Sequence, residues 1–374
     1  MIGKRKAYLL GLCLLVVVLG FIFTGCAPSG EDETGTGDEI ADEKPIELIV
    51  ACGVPEQSEF HKRLTQYMVQ KIEEETQGKI KCTVYPGGSL ITHTEVYPGI
   101  VAGSADIGWI GLAALHTDRF PLLSLWEIPG HPFLSSIAGS YAIQEYIELI
   151  QPEELSEVKI LFCVAAAPGL IYSKKPIRTL EDLRGLEIRC SGPMIDSMTA
   201  LGTSPSVVPM QEVYEALDKG IVEATVSPLE HLKTWGFAEV AEYITVTPFM
   251  QNTFLYFMMN LETWNSLSPE LQEAVERGAS MAWEESAAKY YDEEGSKALE
   301  EAVKNGQIKE VIFLSEEEEA RWKEKIAFAI NDYAAELDAQ GLPGTESKEL
   351  MFELAEKYNN QYGPLWKDWD FVNK

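Results

Sequence analysis

The sequence lacks the short signatures of nucleotide and hydrolytic chemistry. Its one Gly-x-Gly, Gly35-Thr36-Gly37, lies in a polar run rather than directly after a strand, and no GxxxxGK[ST] is present, so neither phosphate cradle is supported. No GxSxG elbow occurs, and Ser286-Ala-Ala-Lys289 carries the letters SxxK only within a helical pattern crowded with Glu and Tyr. The five histidines, His61, His93, His116, His131 and His231, form no HxxxH or HExxH pair, and the cysteines match no zinc spacing. Basic residues are scarce as well: 30 Lys and Arg stand against 59 Asp and Glu, a net charge of −29, and they are spread singly, which excludes nucleic-acid binding by counterion release. The expectation is therefore a protein with no cofactor, no metal, no nucleic-acid partner and no enzymatic activity.

What is present begins at the N-terminus. Lys4, Arg5 and Lys6 precede an apolar run from Ala7 to Phe23, the charge and length pattern of an export signal. The run falls short of the roughly twenty residues that span a bilayer, and it ends in Phe23-Thr24-Gly25-Cys26. That ending resembles the lipobox of bacterial lipoproteins, with Phe23 where leucine is usual, and the resemblance implies a signal peptide over 1–25 and lipidation of Cys26. An uncleaved helical anchor is the alternative, and both leave the body of the protein tethered outside the cytoplasmic membrane. Residues 26–45 are acidic, rich in Gly, Pro, Ser and Thr and nearly free of apolar side chains, a composition that cannot bury enough surface to fold and reads as a flexible tether.

Beyond the tether, continuous apolar strands alternate with amphipathic helices, the pattern of mostly parallel sheets covered on both faces. Strands are expected at 45–55, 79–88 and 105–110, followed by a helix near 137–150. The alternation restarts with one strand over 159–173, a capping box at Thr179–Asp182, strands at 185–194 and 206–210 and a strand-to-helix turn over 223–237. A long β-rich stretch covers 244–260, and Ser268-Pro269 opens a helix reaching about Lys304 that should exceed all others in length. A strand over 307–314 leads to a second capping box, Ser315–Glu318. Cys52, Cys82, Cys163 and Cys190 each sit in a β-like run. Export permits Cys52–Cys82 and Cys163–Cys190 bridges, while buried free thiols are the plainer reading.

The stretch DLRGLEIRCSGPMIDSMTALGTSPSVVPMQEVYEALDKGIVEATVSPLEHLKTWGFAEVAEYIT resembles the solute-binding proteins of tripartite ATP-independent periplasmic (TRAP) transporters, the dicarboxylate-binding family. TQGKIKCTVYPGGSL, VAGSADIGWIG, FPLLSLWEIPGHPF and FLYFMMNLETWNSLSPELQEAV resemble it in the same order, so the likeness covers roughly 46–340. It implies an α/β fold of the two-domain periplasmic-binding-protein type, a Venus flytrap with mostly parallel sheets and a long hinge-spanning helix. Domain I would take 46–160 with about 253–290 contributing, and domain II 161–252 with about 291–374 packing across the hinge.

In that family an arginine at the end of the strand after DL(K/R)G binds the ligand carboxylate through two parallel hydrogen bonds, and Arg189 stands there. Alternation alone, with Leu186 and Ile188 against Glu187 and Arg189, would put it on a solvated face, but strand carboxyl ends are where open α/β sheets bind ligands. By the same resemblance Trp109, Ser227, Met210, Phe254 and His93 are candidate ligand contacts, with local packing the alternative for each and Tyr172 weaker still. Many members carry a second arginine where this chain has Ala165–Leu170, and Gln-Glu-Asn where it has Thr225, Val226 and Ser227. Those departures point to a monocarboxylate with an apolar or aromatic body. The resemblance implies an extracytoplasmic, periplasmic or cell-surface receptor, lipid-anchored to the membrane, that delivers a small organic acid to TRAP permease subunits. The alternative is a sensor presenting the acid to a signalling receptor.

Overall fold

The structure is a computed structural model that describes residues 44–372. The export segment, Cys26 and nearly all of the tether lie outside the described residues.

Two mixed sheets organise the chain. The first runs β2-β1-β3-β10-β4, from β1 (Ile46–Ala51), β2 (Ile80–Tyr85), β3 (Ile107–Ile110), β4 (Val158–Ala165) and β10 (Phe254–Asn260). The second runs β11-β9-β5-β8-β6-β7, from β5 (Leu170–Ser173), β6 (Glu187–Arg189), β7 (Ser204–Ser206), β8 (Ala224–Ser227), β9 (Tyr243–Val246) and β11 (Glu310–Phe313). Each sheet holds a single reversed strand, β10 in the first and β5 in the second, so the expectation of two mostly parallel α/β halves is met.

Both reversed strands arise where the chain changes sheets. Residues 159–173 form two strands rather than one, and so do 244–260. The segments between them, 166–169 and 247–253, cross side by side, with Ala166 N–H donating to Thr253 O at 2.7 Å and Gly169 N–H to Gln251 O at 2.8 Å. A Cβ on Gly169 would lie 2.6 Å from Gln251 Cβ, so the close approach requires glycine. β5 enters beside the carboxyl end of β8, Leu170 opposite Ser227, and β10 enters beside that of β4, Phe254 opposite Ala165. The crossings therefore link the carboxyl ends of the parallel strands in one sheet to those in the other, and these ends face each other across the hinge.

Three apolar clusters hold this frame. One runs between the sheets, joining Val50, Trp109, Phe162 and Phe257 to Tyr172 and Ile244. A second covers the opposite face of the first sheet with Trp126, Phe133, Tyr146 and Phe254, and a third covers that of the second sheet with Ile188, Cys190, Val226 and Trp322.

The long helix expected from Ser268-Pro269 is broken. Pro269–Glu285 and Tyr290–Lys304 are separate helices, interrupted at Ser286 (φ −135°, ψ −56°) and by a 3₁₀ turn at Ala287–Lys289. Arg63 fastens the break from the first half: Nε donates to Ser286 Oγ at 3.4 Å, Nη1 to Glu294 at 3.1 Å and Nη2 to Glu293 at 2.6 Å. Pro269–Glu285 packs on β4 and the helix Tyr67–Glu75 of the first half, and Tyr290–Lys304 on His231–Thr234 of the second, so together they span the hinge. The longest helix among the described residues is instead Glu316–Ala339, with 24 residues. The strand expected at 206–210 is displaced to β7, which leaves Val207–Pro209 without regular structure. The Thr179–Asp182 capping box forms, and Ser315 caps its helix through Glu318 N–H. Among the described residues Cys52, Cys82, Cys163 and Cys190 are all free.

Candidate functional site

Arg189 is the last residue of β6 and pairs in register with Ser206 on β7 and Thr225 on β8. Strand alternation sends its neighbours Ile188 and Cys190 into one core and turns Arg189 to the other face. There it is buried, at 7% exposure, rather than solvated. Its Nε donates to Val208 O at 3.1 Å, while Nη1 is buried with no partner, and no carboxylate among the described residues forms an ion pair with it. Burial lowers its pKa, the signature of a cation short of compensation.

Around this guanidinium the second half presents an apolar wall. Val207 is 57% exposed, Val208 and Met210 are half-buried, and Pro209 is exposed, on the same segment whose carbonyl holds Arg189. Ser227 lies two residues beyond the Thr225 partner of Arg189, on the same face at the carboxyl end of β8, with its Oγ buried and unpartnered.

Two of the other expected contacts come together on the first half. Trp109 on β3 is packed against Phe60 (ring centroids 4.4 Å), Phe257 (5.8 Å) and His93 (5.3 Å), and its Nε1 is buried without a partner. His93 is exposed at the rim and folds over Gly53, where a Cβ would lie 2.6 Å from Nδ1; the surrounding walls strip water from its ring and lower its pKa. Phe254 is placed apart from both groups, fully buried between Trp126 (5.8 Å) and Phe133 (5.9 Å) on the far face of the first sheet. Tyr172 is also fully buried, its hydroxyl donating to Pro228 O at 2.9 Å.

Sequence reasoning missed the Val207–Pro209 wall, which reads as a strand, and missed Glu230 and His231, which follow Ser227 in the strand-to-helix turn. Glu230 is buried and His231 half-buried, and loss of hydration pushes the Glu230 carboxyl up to about 8 and the His231 imidazole down to about 3. Nothing in the local pattern marks them, because the groups that enclose them lie on distant elements. Cavity volume is no better guide. A groove of about 770 Å³ lies between the 289–300 helical face and the C-terminal segment, lined by more Asp and Glu than Lys side chains, and touches none of these residues.

Residues 50–336 match the model of the bacterial extracellular solute-binding proteins, family 7. The chain belongs to that family. A TRAP periplasmic solute-binding protein from Desulfovibrio salexigens is similar to this family 7 protein in fold, with TM-score 0.77 and 33% identity over 85% of this chain and 97% of that one. A marine metagenome TRAP solute-binding protein specific for aromatic acids, solved with 3-hydroxybenzoate, matches at TM-score 0.74 and 25% identity over 84% of this chain and 99% of its own. A monocarboxylate 2-oxoacid-binding periplasmic protein of a Nostoc species is 27% identical over 73% of this chain and 75% of its own. Family and fold are those of transport solute-binding proteins of the periplasmic or extracytoplasmic space. No helix among the described residues is long and apolar enough to cross a membrane.

Proposed function

We propose that this family 7 protein captures an organic acid, a monocarboxylate with an apolar or aromatic body, between its two halves and delivers it to the membrane subunits of a TRAP transporter. The observation that carries the reading is the buried Arg189 Nη1 without a partner. An unpaired guanidinium in a poorly solvated site costs several kcal/mol, on the order of a lost buried ion pair, and a ligand carboxylate offsets that cost. Val207, Val208, Pro209 and Met210 beside it offer an apolar surface for the ligand body. Ser227 and Met210 on the second half, with Trp109 and His93 on the first, are the proposed further contacts. Phe254 serves by packing the strand end behind them.

Closure of the halves would exclude water and strengthen the arginine contact as the effective dielectric falls. Outside the described residues, Cys26 is proposed to carry the lipid anchor, on the strength of the lipobox-like ending Phe23-Thr24-Gly25-Cys26. Release of a Cys26→Ser protein from the membrane fraction would accompany that role, and retention would refute it.

The test of the reading is a thermal-shift panel on ligand-stripped protein. Aromatic and branched monocarboxylates, 3-hydroxybenzoate among them, should stabilise it, and Arg189→Ala should abolish the effect. Stabilisation by succinate or sialic acid but not by those acids would sink the substrate class, and tight binding indifferent to Arg189→Ala would sink the site.

A further inference from the structure

The segment that follows β7 decides which donors of Arg189 are free. A guanidinium presents two forks, a side fork of Nε–H with one Nη and an end fork of both Nη groups. The one hydrogen bond that this side chain makes among the described residues uses Nε, which donates to Val208 O at 3.1 Å, and Nη1 is buried with no partner. The side fork is therefore already occupied, and the end fork is whole.

The carbonyl that occupies the side fork is held from both ends. β7 stops at Ser206, whose O accepts Cys190 N–H at 3.0 Å, one residue after Arg189. Pro209 O accepts Glu212 N–H at 2.9 Å in the first turn of the helix Met210–Asp218. Val208 lies between them outside any ladder or helix, so its carbonyl has no secondary-structure partner and the arginine supplies one. Pro209 (φ −52°, ψ 140°) fixes its own φ and, through its ring, confines Val208 to extended backbone. The Pro209 residue is exposed, so this constraint, rather than core packing, is what it contributes.

We propose that Pro209 is a positioning residue of the binding site: it holds the Val208 carbonyl on Arg189 Nε, so that the arginine meets a ligand carboxylate end-on, through Nη1 and Nη2. This rests on the reading of Arg189 as the carboxylate anchor. A carboxylate on the side fork would displace Val208 O and leave that carbonyl without a partner, at the cost of an unmade hydrogen bond. End-on contact keeps both. With Nε engaged, the arginine has one complete fork to offer, which suits a single carboxylate.

The experiment is heteronuclear NMR of the full chain with isotope-labelled arginine, free and with 3-hydroxybenzoate or whichever acid of the panel stabilises it most. Loss of one Nε–H signal in Arg189→Lys identifies the residue. In the free wild type that signal should be protected from exchange with water. With acid bound it should stay near its place while the Nη protons sharpen into separate resonances. Free Pro209→Gly should exchange its Arg189 Nε–H faster, which loss of an apolar contact with the ligand does not cause, and should bind the acid about two- to fivefold more weakly, the usual effect of freeing one backbone position. A large shift of Nε–H on binding, with the Nη protons still averaged, would mean side-on contact and overturn the inference, and the wild type alone reveals it. Unchanged protection and affinity in Pro209→Gly would overturn it as well. Either result leaves the anchor standing, whereas an acid that binds without altering any Arg189 signal, or no acid bound at all, removes the anchor and this inference with it.

Discussion

Asp292 closes the N-terminus of a helix that belongs to the other side of the hinge: its Oδ1 accepts the Ser136 amide at 2.8 Å and its Oδ2 the Ile137 amide at 2.9 Å. Ser135, the N-cap, accepts Ala138 N–H through its own hydroxyl, so the first turn of Ser136–Ile150 has its free amides satisfied from two chain segments. Asp292→Ala should cost about 1–2 kcal/mol of unfolding free energy, the usual loss for an N-terminal cap. Denaturant unfolding at neutral pH measures it, and an unchanged midpoint would show that water replaces the carboxylate without loss.

Gly278 lies where the helices Pro269–Glu285 and Tyr67–Glu75 cross. A Cβ there would sit 2.8 Å from Ile72 N and Cα and from Lys71 O, all of them backbone atoms that cannot swing aside. Gly278→Ala should therefore destabilise by about 1–3 kcal/mol or more, as overpacking does. Gly192→Ala, with nothing within 4 Å of its Cβ and an ordinary backbone, is the neutral control. Equal midpoints for the two variants would contradict the packing.

His131 is fully buried, stacked at 5.8 Å on Phe133, with both ring nitrogens lacking partners. Burial pushes its pKa down to about 3, against 6.5 in an unfolded chain. The unfolded state thus binds more protons between those values, and the stability tied to the neutral ring is complete above about pH 6.5 and lost as pH falls toward 3. His131→Phe should lose less stability than the wild type between pH 7 and pH 4. Parallel acid curves for the two proteins would rule out His131 as a source of acid sensitivity.

The four thiols among the described residues should behave as independent groups, Cys52, Cys163 and Cys190 buried and Cys82 half-buried. Cys82 stands opposite Leu48 in register, so Cys52 is four residues further along β1, roughly 13 Å away at strand rise and beyond disulfide reach. Cys163 and Cys190 belong to different sheets, on β4 and at the end of β6. Reductant should leave the melting temperature unchanged, and a thiol reagent should react with Cys163 and Cys190 only after denaturation. A drop in melting temperature on reduction would reveal a bridge.

The parts of the fold legible in the sequence are those where local pattern and tertiary role coincide. β1, β2 and β3 are short apolar runs closed by turn residues, and Ser268-Pro269 starts its helix as the residue types require. The sheet changes were illegible because the crossing segments are as buried as the strands: Ala167 and Met250 are wholly enclosed, so the apolar pattern runs through the hinge without a boundary. The break at Ser286 was hidden for a different reason, since the side chain that fastens it, Arg63, comes from the first half of the fold. Arg189 shows both limits together. Alternation assigns its face correctly and its exposure wrongly, and the carbonyl that holds its Nε comes from Val208, in a segment whose sequence reads as a strand.

The reversed strand β10 has a consequence for the order in which this chain becomes a protein. It occupies an interior place in the first sheet, hydrogen-bonded to β3 on one side and β4 on the other, yet it is made after five of the six strands of the second sheet. As the chain emerges from its N-terminus, β2, β1 and β3 have no route to β4 until residues 254–260 fill the gap. Neither half is encoded by a continuous stretch, and a chain cut before Phe254 leaves two open sheet edges where the finished protein has an uninterrupted sheet.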